Sequence, residues 1–330
     1  MSIPSRRTVA AVLLSLTLLA PLALTAACVT TQVGGIPTES EVSKREARTR
    51  EDDQTGRLMV ALDRKVGEFL FLDSEAGDDA RAQRNETAGY LRAAVAQNLQ
   101  PLLDFLERPD RARNRQIAAK SLGFSRDPRA VVALVRLLDP KSDARLLTAV
   151  TWSLGRIQSP TTPGGPLLEL VLHPDRDVRN NALMALWHAM DARVRAGGSA
   201  LDPIAHQRAI SLFKTAMLDP DDSSVRGHAA ACLGALRDPV GVDALLKQLE
   251  DDHPFVRTLT ALALGKIGDV RALRPLVKII DATDGSTPRS AVCAAIQLIA
   301  EQRGVAVPKQ LASTSRAWGR FVEDRLDPLQ

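Results

Sequence analysis

Aromatic side chains make up only 3% of this 330-residue chain, with a single tyrosine. Sheet cores lean on aromatic and β-branched residues in alternation. Here Val and Ile are scattered without a sustained period of two, so strands are not expected. No long excess of one charge occurs either. The formal net charge is +4, and two of those charges, Arg6 and Arg7, sit in the first few residues. The concentrated basic face that phosphate contacts need is missing, which excludes nucleic acid as the expected partner. No Gly-rich phosphate loop follows a strand, and no Gly-x-Ser-x-Gly is present. None of the five histidines opens a His-Glu dipeptide or has another histidine four places away, so neither a metal nor another cofactor is expected. Cys232 and Cys293 lie among Ala and Leu two repeats apart, too distant for a disulfide, and read as small buried hydrophobes. What the chain does have is 45% hydrophobic content, carried largely by Ala and Leu, which suits closely packed helices.

The first residues form a targeting segment. Arg6 and Arg7 precede an apolar run from Val9 to Leu24, and Thr25-Ala26-Ala27 then supplies small residues before a cleavage point. The run is short for a membrane span of about 20 residues. Leu24-Thr25-Ala26-Ala27-Cys28 resembles the bacterial lipobox. That resemblance implies a lipid-modified Cys28 at the new terminus. Thr25 departs from the pattern, which has Leu three places before the cysteine, and ordinary cleavage near Ala26 or Ala27 is the alternative. Val29 in place of Asp implies, by the same resemblance, an outer-membrane location facing the periplasm. Residues 28–40, polar with Gly-Gly and Pro, read as a tether.

Asp-Asp-His-Pro-Phe-Val-Arg at 251–257 leads into an apolar helix ending Leu-Gly-Lys-Ile-Gly. Blurred copies stand at 219–236 and 173–190. Leu-Gly pairs at 122–123, 154–155, 233–234 and 264–265 mark one phase. A helix-start basic residue marks another at Arg115, Arg179, Arg226, Arg257 and Arg289, with Leu147 in the remaining place. The steps are 32, 32, 47, 31 and 32 residues, one unit carrying an insertion of about 15 residues at 191–206. A fixed period of this size denotes a stacked array. Each unit predicts two helices: a short apolar one, then a second over 112–122, 144–157, 178–190, 225–236, 255–267 and 289–300. Proline between them breaks the first helix, and Asp or Ser caps the second.

Asp-Pro, Val-Arg and Ala-x-x-x-Leu-Gly in six phased copies resemble the HEAT-repeat family in its short bacterial form, also seen in phycobilin lyases. The resemblance implies an all-α fold, a right-handed α-α superhelix with helical caps. It assigns 99–302 to six repeats, 41–98 to an N-terminal helical segment and 303–330 to a closing helix. Within 41–98, Leu58, Leu62, Val66, Phe69 and Leu72 form one stripe, and Tyr90, Leu91 and Ala94 are expected to face inward. Trp318, Phe321 and Val322 do the same for the closing helix. In that family turn Asp and helix Arg of neighbouring repeats build a polar ladder. The candidates are Arg115, Arg179, Arg226, Arg257 and Arg289 with Asp177, Asp222, Asp251 or Asp252. His188 and His228 on second helices, with Arg193 and Arg195 in the insertion, are candidates for a partner surface. These readings predict a lipid-anchored, non-enzymatic envelope scaffold that holds a protein or peptide on its concave face. An enzyme or enzyme-maturation role in the same groove, by analogy with bilin lyases, is the alternative, as is a spacer in envelope assembly.

Overall fold

Short amphipathic helices separated by proline turns can bury their apolar faces only against one another. The computed structural model describes residues 39–75, 77–282, 289–308, 311 and 314–326, and among these it contains helices and turns but no strand. Contacts divide the chain into residues 1–50 and 51–330. In the first unit the described residues, 39–50, are helical; the second unit holds the array. Cys28, with the leader and tether, lies outside the described residues.

Helices α1 (Glu39–Ser74) and α2 (Asp78–Gln97) precede the repeats. Met59, Leu62, Val66, Phe69 and Leu72 form the buried stripe of α1. On α2 the inner stripe is Ala88, Leu91 and Val95. Tyr90, expected to face inward, is instead half exposed and lies 5.6 Å from the Lys65 ammonium. It is one residue off a stripe stepping three and four, which turns it about 100° away on a helix of 3.6 residues per turn. Six pairs follow. They are α3 (Leu99–Leu106) with α4 (Ala112–Leu122), α5 (Pro128–Val135) with α6 (Ala144–Ile157), and α7 (Gly164–Leu168) with α8 (Arg176–Arg195). Then come α9 (Pro203–Ala216) with α10 (Ser223–Leu236), α11 (Val242–Gln248) with α12 (Pro254–Ile267), and α13 (Leu273–Ala282) with α14 (Arg289–Gln302). Helix α15 (Ser315–Arg325) lies on α13 and buries Trp318, Phe321 and Val322.

Side chains at the turns start these helices. Asp143, Asp175 and Asp222 accept amides at the openings of α6, α8 and α10, and His253 does so for α12. A second set, less obvious in the sequence, lies between repeats. Asp127 and Asp202 cap α5 and α9, while Asp238 and Asp269 cap the 3-10 turns that lead into α11 and α13. Each cap contributes about 1 kcal/mol by pairing an otherwise open amide.

The two layers pack differently. Second helices lie directly on one another from α4 to α14, whereas first helices touch their neighbours sparsely. A stack whose members crowd on one side and spread on the other curves toward the crowded side, so the second helices line the concave face. Glycine makes the crowding possible. A Cβ on Gly234 would stand 2.4 Å from the Ala263 Cα, and one on Gly265 would stand 2.7 Å from the Ala295 Cα. The third repeat places Trp187 in that phase, and its ring reaches across the concave side instead.

The insertion is built into the array. Helix α8 runs on to Arg195, the chain turns at Gly197 in the left-handed region, and Ala200 and Leu201 are buried before Asp202 opens α9. Arg193 fastens it. Its Nε donates to the Pro160 carbonyl (2.8 Å), one terminal nitrogen to that of Ala200 (3.1 Å) and the other to that of Thr162. One guanidinium thus joins the Ser159–Gly165 loop to the 196–202 turn.

Gly234→Ala is expected to destabilise the array by about 1–3 kcal/mol through overpacking, although alanine is the better helix former. Gly67→Ala, where nothing lies within 4 Å of the added carbon, is expected to stabilise by about 0.5–1 kcal/mol. Urea midpoints at unchanged slope measure both.

Candidate partner-binding face

Along the turn edge, arginines near the starts of α8 and α10 serve two functions. Arg226 donates from Nε and Nη2 to the two carboxylate oxygens of Asp251 (2.8 and 3.1 Å), and from Nη1 to the Asp219 carbonyl (3.0 Å). Arg179 pairs with the Asp219 carboxylate (3.0 Å) and with the His173 and Pro174 carbonyls. Arg257 takes the Asp251 and Asp252 carbonyls. Asp219 and Asp251 therefore accept from the preceding repeat with their side chains and from their own repeat with their carbonyls. Arg115 binds only a carbonyl in this set, that of Leu106 (2.6 Å), and Arg289 is exposed at the start of α14.

Two acids expected in the ladder stand elsewhere. Asp177 is exposed in the first turn of α8 beside Arg176, and Asp222 caps α10 through the Ser224 and Val225 amides. Both lie too close to a helix start to reach the preceding repeat. The acid that does reach Arg179 is Asp219, at the end of the first helix. These pairs are well covered: side-chain exposure is 17% and 11% for Arg179–Asp219 and 18% and 9% for Arg226–Asp251. Burial pushes the Asp251 carboxyl up, but hydrogen bonds from Arg226 and the His253 amide outweigh it, and it lies below its ordinary value.

On the concave face α8, α10 and α12 bring aromatic and polar groups together. Trp187 and His188 stack at 4.5 Å, Trp187 and His228 are 6.0 Å apart, and His228 meets the edge of Phe255 at 5.4 Å. His228 Nδ1 lies 2.7 Å from Asn180 Oδ1; with the amide oxygen accepting, Nδ1 carries the proton and Nε2 is left as an acceptor. Burial pushes His228 down to about 4, with His188 adding to the effect, and burial lowers His188 as well. Both imidazoles are therefore neutral at pH 7. Lys266 of α12 reaches over α10 to Asp191 of α8 (2.5 Å) and lies 5.4 Å from the Trp187 ring centre. Contact between side chains two repeats apart requires the small Ala and Gly positions of α10 and a stack that curves toward this face.

The candidate surface residues thus separate. His188 and His228 meet on one wall with Trp187. Arg195 is exposed at the end of α8. Arg193 is a fastening group rather than a free surface one: its nitrogens donate to the Pro160 and Thr162 carbonyls of the loop before α7 and to the Ala200 carbonyl of the insertion. Cys232 and Cys293 are buried and form no disulfide among the described residues. Among the described residues no group of three or more His, Cys, Asp or Glu is arranged to hold a metal ion. The Asp191–Lys266 link and the Arg193 fastening carried no signal in the sequence, since each joins segments whose approach only the fold establishes. His188 and His228 of this wall are legible in the sequence, while Trp187 shows only as a residue standing where other repeats have glycine.

A two-layer helical array with a curved inner face and phased turn caps defines a repeat solenoid. Residues 99–187 and 210–297 match the HEAT-repeat family model, and the chain belongs to the HEAT-repeat family. A curated protein similar to part of it is the uncharacterized phycocyanin operon protein Z of Pseudanabaena tenuis (strain PCC 7409), 25% identical over 169 residues, which cover 44% of this chain and 83% of that protein. Similar solved structures include an engineered protein (21% identity, 63% of this chain and 98% of that one, TM-score 0.45). The complex of CpcE and CpcF of phycocyanin lyase from Nostoc sp. PCC7120 is another (18% identity, 81% and 93%, TM-score 0.42).

Asp251→Asn is expected to cost about 1.5–3 kcal/mol at pH 7, the worth of hydrogen bonds to a charged partner. The carboxyl is depressed in the folded state, so its stabilisation is complete above the unfolded value of 3.8 and lost as pH falls through the lower folded one. Denaturation from pH 7 to pH 3 checks this: the gap between the two proteins narrows toward the acid end.

Proposed function

We propose that this chain is a scaffold of the bacterial cell envelope, anchored through a lipid on Cys28, that binds a protein or peptide segment on the concave face of its second helices. The observation that carries the binding reading is the wall of Trp187, His188, His228 and Phe255, a rigid aromatic surface flanked by the amide of Asn180. Such surfaces present a large contact area at little entropic cost, and aromatic anchors dominate binding energy at interfaces. HEAT and armadillo-like repeats bind protein partners as a group, which supports the same reading. The lipobox-like run before Cys28 supports the anchor, and several acyl chains together hold a protein firmly where one is marginal.

Two experiments test the two halves separately. In detergent-phase partitioning the full chain enters the detergent phase and Cys28→Ala does not; equal behaviour of the two ends the anchor reading. A photo-crosslinker placed at Phe255 is expected to trap a partner segment in membranes, while one at the exposed Ile204 on a first helix is not. Equal trapping at both positions rejects the concave face as the binding surface.

The similarity to a phycocyanin operon protein supports a second reading, an enzyme or maturation factor that uses the same groove. A bilin whose absorbance changes on titration with the chain favours it, with Phe255→Asp abolishing the change. An unchanged spectrum removes it.

A further inference from the structure

Apart from the concave face, a concavity of about 530 Å³ opens where α2, the start of α3 and the α4–α5 loop meet. Its floor is apolar: Ala93, Ala96, Leu99 and Phe124. Its rim carries three arginines from three elements: Arg92 of α2, Arg126 of the loop and Arg129 of α5. The sole carboxylate lining it, Asp127, is already engaged. It accepts from Nε and Nη2 of Arg129 at 3.1 and 3.0 Å and from the Arg129 amide at 2.8 Å. Nearby, Arg84 holds Asp73 and Arg113 holds Asp63. Arg92 and Arg126 pair with no carboxylate among the described residues.

Two guanidinium charges therefore face an apolar hollow without counter-charge. Behind Phe124 stands a further cation. The Arg156 guanidinium sits 4.1 Å from the Phe124 ring centre and 4.1 Å from that of Phe69. Ser125 also lines the hollow; its oxygen accepts the Asp127 amide (3.1 Å), which leaves its hydroxyl proton available to donate.

We propose that this concavity binds an amphipathic carboxylate, an alkyl or aryl acid whose chain lies on Ala93, Ala96 and Phe124 and whose carboxylate takes Arg92 and Arg126. Guanidinium forks match the two oxygens of a carboxylate. An apolar hollow with few polar groups at one side is how small-molecule sites combine affinity with orientation. A bare inorganic anion would leave the floor uncovered, and an apolar amine would meet three guanidinium groups and one carboxylate already paired with Arg129. The site stands apart from the concave face and does not depend on how that face is used. The acid comes either as a free small molecule or as the C-terminus of a peptide.

Calorimetric titration of the purified full chain tests this with five probes. These are hexanoate, hexylamine, inorganic phosphate, and a tetrapeptide ending in leucine as free acid and as amide. Hexanoate is expected to bind at least tenfold more tightly than hexylamine or phosphate. The double variant Arg92→Gln/Arg126→Gln is expected to weaken hexanoate at least tenfold with an unchanged unfolding temperature. Tighter binding of the free-acid peptide than of hexanoate identifies a chain terminus as the source; the reverse order identifies a small acid. Phosphate binding as tightly as hexanoate, equal binding of amine and acid, or an unaffected double variant overturns the proposal. Ala96→Asp, a surface change that places a negative charge on the floor, provides a second variant and is expected to abolish binding.

Discussion

Backbone contact between successive second helices is the constraint on which the rest of the array depends. At Gly234 and Gly265 the neighbouring Cα lies where a side chain would otherwise begin. Small residues let these helices meet across almost no gap, which brings dispersion contacts to interior density. First helices have no equivalent contact, so the stack bends. Curvature then places Trp187, His228, Phe255 and Lys266 from three repeats on one wall, although they are far apart along the chain.

The turn-edge pairs act at right angles to this packing. Asp219 and Asp251 each accept from their own repeat with the carbonyl and from the previous one with the carboxylate, so the starts of α8, α10 and α12 are referenced to one another. Buried ion pairs of this kind contribute little net energy relative to apolar replacements, but losing one partner is costly. Their effect here is on register. They fix the rotation of α8 and α10, and with it which of their side chains reach the concave face.

Helix positions were readable because two rulers kept phase along the chain, and the starts and ends of α4, α6 and α12 fall where proline, aspartate and Leu-Gly place them. Partners across repeats were not. Asp177 and Asp219 are both turn acids in sequence; only the approach of the next repeat decides that Asp219 meets Arg179. Tyr90 adjoins a real stripe and was assigned to it, one residue out. Arg193 lies in an irregular insertion, where charge ordinarily means solvent. Its role comes from three carbonyls in loops without a ladder of their own, and unpaired backbone acceptors leave no trace in a sequence pattern. Arg156 follows a Leu-Gly pair and reads as a base near a helix end. The phenylalanines that enclose it come from α1 and from the α4–α5 loop.

Fastening two irregular loops to one guanidinium has a kinetic consequence. The Ser159–Gly165 loop and the 196–202 turn share a donor, so neither opens without releasing the other, and they fray as a single unit rather than as two. Between them runs α7, the shortest of the first helices. Being only five residues long, it has little helical cooperativity of its own. Its flanking loops are therefore held by a side chain belonging to the next helix.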